Sequence, residues 1–146
     1  MNMDDKNRLF ENQIDLNTLT LSLYDDDVGA ISTFIGTTRK SNGNYKIKHL
    51  VYESYVQMAN KQILDLEVRI RSKFKVLKVV IAHRLGIVGL QEPSVFIGIS
   101  SARRKDSLEA CSYAIEELKK KVTIWKKEVT QDDETLWIAN DTPLSY

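Results

Sequence analysis

The feature that most restricts how this chain can fold is the uninterrupted apolar run Val79-Val80-Ile81-Ala82. A strand with one wet face alternates apolar and polar residues. A run without a polar break describes a central strand, over about 76–83, covered on both faces. Two helices that could supply cover are legible. Ala59, Ile63, Leu66 and Ile70 recur at three and four residues and predict a helix over about 56–73. Leu108, Cys111, Ile115, Leu118 and Val122 do the same over about 104–121. A shorter helix, carrying Leu16, Leu19 and Leu23 and capped by Asp15, is expected near the start.

The remaining strands follow from β-branched and alternating stretches. They are expected over about 28–39, 46–53, 94–101, the stretch beginning at Val122, and 135–138, with a glycine-relieved bend or small β-excursion at Leu85-Gly86-Ile87-Val88-Gly89. The turn-like Ser41-Asn42-Gly43-Asn44 between the first two predicts that they pair as a hairpin. At 146 residues the chain has room for one good core. We therefore expect one domain over 14–139, a loose polar N-terminus at 1–13 and a tail at 140–146.

Chemistry concentrates at Lys119-Lys120-Lys121-Val122-Thr123-Ile124-Trp125-Lys126-Lys127-Glu128, which carries five lysines at a helix-to-strand junction. Charge so focused points to an anionic ligand. Helical spacing puts Lys119 at the edge of the expected apolar stripe. It either snorkels to water or is partly desolvated and useful as a base or nucleophile. Strand alternation puts Ile124, Lys126 and Glu128 on one face, so Lys126 and Glu128 are neighbours. Arg39 stands at a strand end beside a loop, where it could clamp phosphate. Arg103, Arg104 and Lys105 crowd a helix N-terminus, an arrangement unfavourable to the helix dipole unless an anion is nearby.

Other classes fit poorly. The formal net charge of +1 argues against a general nucleic-acid binder, and no apolar run approaches the roughly eighteen residues of a membrane span. The N-terminus lacks a signal-peptide pattern. The single cysteine, Cys111, is expected as a buried thiol in a reducing, cytoplasmic setting. His49 and His83 stand apart from any metal-ligand spacing, so no metal or cofactor is expected.

Taken together, Phe34-Ile35-Gly36-Thr37-Thr38-Arg39, Tyr52-Glu53-Ser54-Tyr55, His83-Arg84-Leu85-Gly86, Ser100-Ser101-Ala102-Arg103-Arg104 and Ile124-Trp125-Lys126-Lys127-Glu128 resemble the large, catalytic subunit of molybdopterin synthase. The resemblance covers about residues 14 to 139. It implies an α+β, hammerhead-type single domain with a mainly antiparallel sheet and packed helices. It also implies a homodimer within a heterotetramer, each end binding a small ubiquitin-like sulfur-carrier subunit. That partner's C-terminal Gly-Gly thiocarboxylate would donate sulfur to cyclic pyranopterin monophosphate, making the molybdopterin dithiolene.

By the same resemblance Lys119 and Lys126 are the expected catalytic residues, with Phe34, Arg39, Arg103, Arg104, Lys126 and Glu128 binding substrate. The chain departs from the family's pattern at three places. Arg103 stands where a histidine is common, and an arginine cannot shuttle protons near neutral pH. Thr123 replaces a frequent proline, which is expected to loosen the turn into the last basic strand. Ala139 and Asn140 supply no basic residue to a neighbouring subunit. A non-catalytic adaptor that binds a ubiquitin-like tail is the alternative reading.

Overall fold

The computed structural model of the chain describes residues 6–139 and 142–143. Its centre is the expected apolar strand, β5 (Lys78–Arg84), with neighbours β1 (Leu9–Phe10), β7 (Pro93–Ser101) and β2 (Ala30–Thr37) in the order β1-β5-β7-β2. Only β1 runs parallel to its partner. The strand is covered on both faces, as its unbroken run predicts. Val79 and Ile81 enter the larger core with α2 (Val56–Lys73) and α3 (Arg104–Lys121), while Val80 and Ala82 pack with Leu19 and Leu23, on and just beyond α1 (Leu16–Leu21). Asp15 caps α1 by accepting from the Thr18 amide at 3.1 Å. Gly98 lets this layer sit close, since a Cβ there would lie 2.5 Å from Leu23 Cδ1.

A second sheet runs β10 (Thr142–Pro143), β9 (Thr135–Ala139), β8 (Ile124–Thr130), β4 (Tyr45–Ser54), β3 (Ser41–Asn42), with β6 (Gly86–Gly89) also paired to β4. The architecture is α+β with mainly antiparallel sheets, as the resemblance implied. Thr142–Pro143, within the expected tail, pairs with β9. Residues 1–5, 140–141 and 144–146 of the expected termini lie outside the described residues.

Three expectations are corrected. First, the loose N-terminus does not extend to residue 13. Leu9 is buried opposite His83, Ile14 is buried, and Arg8 Nε bonds Glu67 Oε2 at 2.8 Å. An isolated Leu-Phe pair is too short for a periodic signal, and its order comes from these long-range partners.

Second, β2 and β4 do not form a hairpin. They belong to different sheets, β2 pairing with β7 and β4 with β8 and β6. The turn is real, with Gly43 at φ +61°, but it closes only the short ladder of β3 with Tyr45 and Lys46. The chain crosses between sheets at Thr38–Lys40.

Third, the buried face of α3 is rotated from the expected stripe. Leu108 is 59% exposed, whereas Ser107, Ala110, Cys111, Ala114 and Leu118 are buried. Small residues allow close approach to β2 and β7. Ser107 is tolerated inside because its hydroxyl bonds Ser32 Oγ at 2.9 Å and its amide donates to Ser101 Oγ at 3.1 Å.

The Arg84 and Glu92 side chains bond each other across the excursion that follows β5. Arg84 Nη2 also donates to the carbonyls of Glu11 (2.9 Å) and Ile87 (3.0 Å), and Glu92 accepts from the Gly89 amide at 2.8 Å. These bonds brace the excursion that carries β6, which pairs with β4.

A candidate active site between the two sheets

Where the sheets diverge they enclose a cavity of about 530 Å³. One wall is the first sheet, with Phe34 and Gly36 from β2, His83 from β5 and Val95 from β7. The opposite wall is the second sheet, with Tyr52 from β4 and Ile124, Lys126 and Glu128 from β8. The C-terminal turn of α3 adds Leu118 and Lys119, and Arg39 lies just past β2.

Strand alternation delivers the basic block as expected. Ile124, Lys126 and Glu128 face the cavity, while Lys127 turns away to Glu53 (3.0 Å) and the Trp137 ring. Lys126 stands opposite Tyr52 in the β4–β8 ladder. Glu128 is buried, and both its carboxylate oxygens accept from Asn42 Nδ2, at 3.2 and 3.1 Å. Thr123 does not loosen the entry to β8. Its amide donates to Gln62 Oε1 at 2.8 Å and its hydroxyl accepts from Gln62 Nε2 at 3.3 Å, a two-way tie in which a proline could not donate.

Phe34, Arg39, Lys119, Lys126 and Glu128 are thus brought together. Arg103 and Arg104 are not. They begin α3 at the far end of β7, and sixteen helical residues at 1.5 Å each put Arg103 about 24 Å from Lys119 along the axis. Lys119 is exposed, not partly desolvated, because the true buried face of α3 turns it toward solvent at the cavity rim. Trp125 shares that rim and meets Tyr55 edge-on at 5.3 Å.

Sequence reasoning missed the uncharged polar lining. His83 is buried, its Nδ1 lies 2.7 Å from the Arg84 carbonyl, and its ring meets Tyr52 edge-on at 4.9 Å. Burial pushes its pKa down to about 4, aided by the nearby Lys126 charge and opposed by the Arg84 carbonyl. Thr38 and Ser94 are also buried in the lining. A polar residue closing an apolar strand was the available signal for His83. Asn42 offered none, because its role depends on a partner 86 residues away.

The cavity therefore joins a cationic mouth to an interior that is uncharged apart from Glu128 and Lys126. Such a site suits an elongated ligand with an anionic end. The profile of the MoaE protein family matches residues 9–121. The chain belongs to the MoaE family. Relatives with which it aligns bear the name molybdopterin synthase catalytic subunit. The protein from Thermoplasma volcanium is 41% identical over 111 residues, covering 76% of this chain and 81% of that one. The human protein is 46% identical over 112 residues, covering 77% of this chain and 59% of its own length.

Among solved structures, molybdopterin synthase from Staphylococcus aureus superposes with a TM-score of 0.85 at 30% identity, covering 92% of this chain and 97% of that one. A Helicobacter pylori structure, described as a complex of subunits 1 and 2 of molybdopterin-converting factor, shares the fold with a TM-score of 0.76 at 21% identity, covering 94% and 93%. The resemblance read from the motifs and the membership found here agree. No described helix of this MoaE-family chain is long and apolar enough to cross a membrane.

Proposed function

We propose that this chain is the catalytic subunit of a molybdopterin synthase, transferring sulfur from the C-terminal thiocarboxylate of a small ubiquitin-like carrier to cyclic pyranopterin monophosphate. The observation that carries the reading is the convergence of Lys119, Lys126 and Arg39 on one cavity of about 530 Å³. That volume lies within the roughly 300–1,000 Å³ typical of small-molecule sites. It favours a synthase over an adaptor, because a tail-binding adaptor needs no chamber for a second reactant.

The cations match the charges of both reactants. The carrier tail is anionic and the substrate carries a cyclic phosphate, so groups at the mouth must hold both and offset charge that develops during transfer. Lys119, at the rim, is the residue assigned to the thiocarboxylate and to proton transfer. Its exposure in the isolated chain suits a group that becomes desolvated only when the partner's tail enters. Lys126 and Glu128 orient the pterin or its phosphate, Phe34 packs against it, and Arg39 binds the anionic end.

Arg103 and Arg104 keep their assigned place only through a homodimer, in which a second copy carries them to the pocket. The wider assembly is then a heterotetramer, in keeping with the two-subunit complex described for the Helicobacter pylori protein. A cytoplasmic setting accords with the single cysteine.

Reconstitution tests the reading. The purified chain, thiocarboxylated carrier and cyclic pyranopterin monophosphate should yield molybdopterin, and the Lys119→Ala variant should not. A stable complex of the natural chain with its carrier that makes no product would favour the adaptor.

A further inference from the structure

His83 is not among the residues assigned above, yet its setting is that of a built ligand contact. It lies opposite Val95 in the β5–β7 ladder, and Val95 lies opposite Gly36 in the β7–β2 ladder. The three form one row across the cavity wall. Val95 is apolar and Gly36 has no side chain; a Cβ there would lie 2.7 Å from Val95 Cγ1. The row is therefore low and flat, with its polar side chain at one end.

The imidazole is fixed in both orientation and tautomer. A carbonyl oxygen only accepts, so the 2.7 Å contact with the Arg84 carbonyl places the ring proton on Nδ1. Nε2 is left with a lone pair. Tyr52 holds the ring plane edge-on, with an interplanar angle of 78°. Buried and beside Lys126, the ring stays uncharged at neutral pH, so it brings an acceptor into a pocket whose other basic side chains are donors.

We infer that His83 is a specificity-determining contact, its Nε2 accepting a hydrogen bond from a ring N–H of a flat heteroaromatic ligand lying against the Val95–Gly36 row. The inference rests on the proposed function, for which that ligand is the pterin end of the substrate. A pterin presents N–H donors along one edge, whereas its phosphate presents only acceptors. A lone pair on the wall and cations at the mouth then admit the substrate in one direction, ring inward and phosphate outward. A site built to pair with an N–H rejects analogues lacking it far more strongly than an apolar wall could.

The natural protein provides the test. The chain has two histidines, His49 and His83. With the histidines 15N-labelled, cyclic pyranopterin monophosphate should move the His83 Nε2 resonance and leave His49 unmoved, while inorganic phosphate should move neither. His83→Phe, which keeps a ring without the acceptor, should raise the substrate dissociation constant roughly 10- to 100-fold. Its affinity for the carrier subunit should be unchanged, and His83→Gln should recover part of the loss.

Substrate binding with His83 Nε2 unmoved, or moved equally by phosphate, overturns the inference and leaves the synthase reading standing. Failure of the natural protein and carrier to bind or convert the substrate overturns both. Should the variants not fold, the resonance measurement alone decides.

Discussion

Asn42 holds both carboxylate oxygens of Glu128 from a turn 86 residues earlier in the chain, at 3.2 and 3.1 Å. This bond ties β3 to β8 past β4, the strand between them, within one wall of the cavity. Asn42→Ala should remove donors from a buried carboxylate and lower stability by about 1–3 kcal/mol, measured by urea unfolding. Weakened substrate binding should accompany it, because both residues line the site.

Replacing Lys119 should separate turnover from stability. Being exposed on the last turn of α3, it should tolerate replacement by alanine within about 0.5 kcal/mol in denaturant melts. Turnover in the reconstituted reaction should be abolished, a loss of at least the roughly 10²- to 10⁴-fold that a positioned proton-transfer group contributes. A fall in stability matching the loss of turnover would argue against a direct role.

His83 gives the fold an acid limb. The unfolded imidazole titrates near 6.5, and the folded one near 4. Between those values the unfolded state binds more protons, so stability falls as pH drops from about 6.5 to about 4. The accumulated loss is on the order of 3 kcal/mol. His83→Phe should flatten this segment of the stability profile, measured by urea midpoints across that range.

The Arg84–Glu92 pair is nearly enclosed, with side-chain exposures of 6% and 16%. Arg84→Met should cost about 3–5 kcal/mol, because it strands the Glu92 carboxylate and two carbonyls together. The double variant Arg84→Met, Glu92→Gln should recover part of that loss in thermal melts.

Cys111 is buried, and desolvation raises its thiol pKa to about 11. Alkylation at pH 8 should therefore be slow in the native protein and become fast only on unfolding. Mass spectrometry of the alkylated protein against time checks this, and rapid native labelling would place the thiol outside the core.

Local periodicity carried much of the fold. The helix over 56–73 was legible because Ala59, Ile63, Leu66 and Ile70 form one fully buried row, and β5 because its apolar run has no break. Sheet membership was not legible. Whether β2 pairs with β4 or β7 depends on packing between distant segments, and the Asn42-Gly43 turn served a smaller ladder than expected.

The face of α3 was misjudged because size and polarity pulled apart. Leu108 is large yet exposed, while Ser107 is polar yet buried by virtue of its hydrogen bonds. At the site, motif residues gave Arg39, Lys119 and Lys126. The acceptor character of His83 depends on one carbonyl, which no spacing rule reveals.

The cavity is a seam whose two walls belong to separate sheets, drawn from segments spread between Phe34 and Ile138. No single hairpin or helix contains it, so it has no counterpart in a partly assembled chain. A ligand seated between those walls recognises only the finished molecule and acts as a rivet between the sheets. A ligand at a hundred times its dissociation constant should add about 2.7 kcal/mol to global stability. That gain should slow hydrogen exchange in β5 and β8 together, including amides that never touch the ligand.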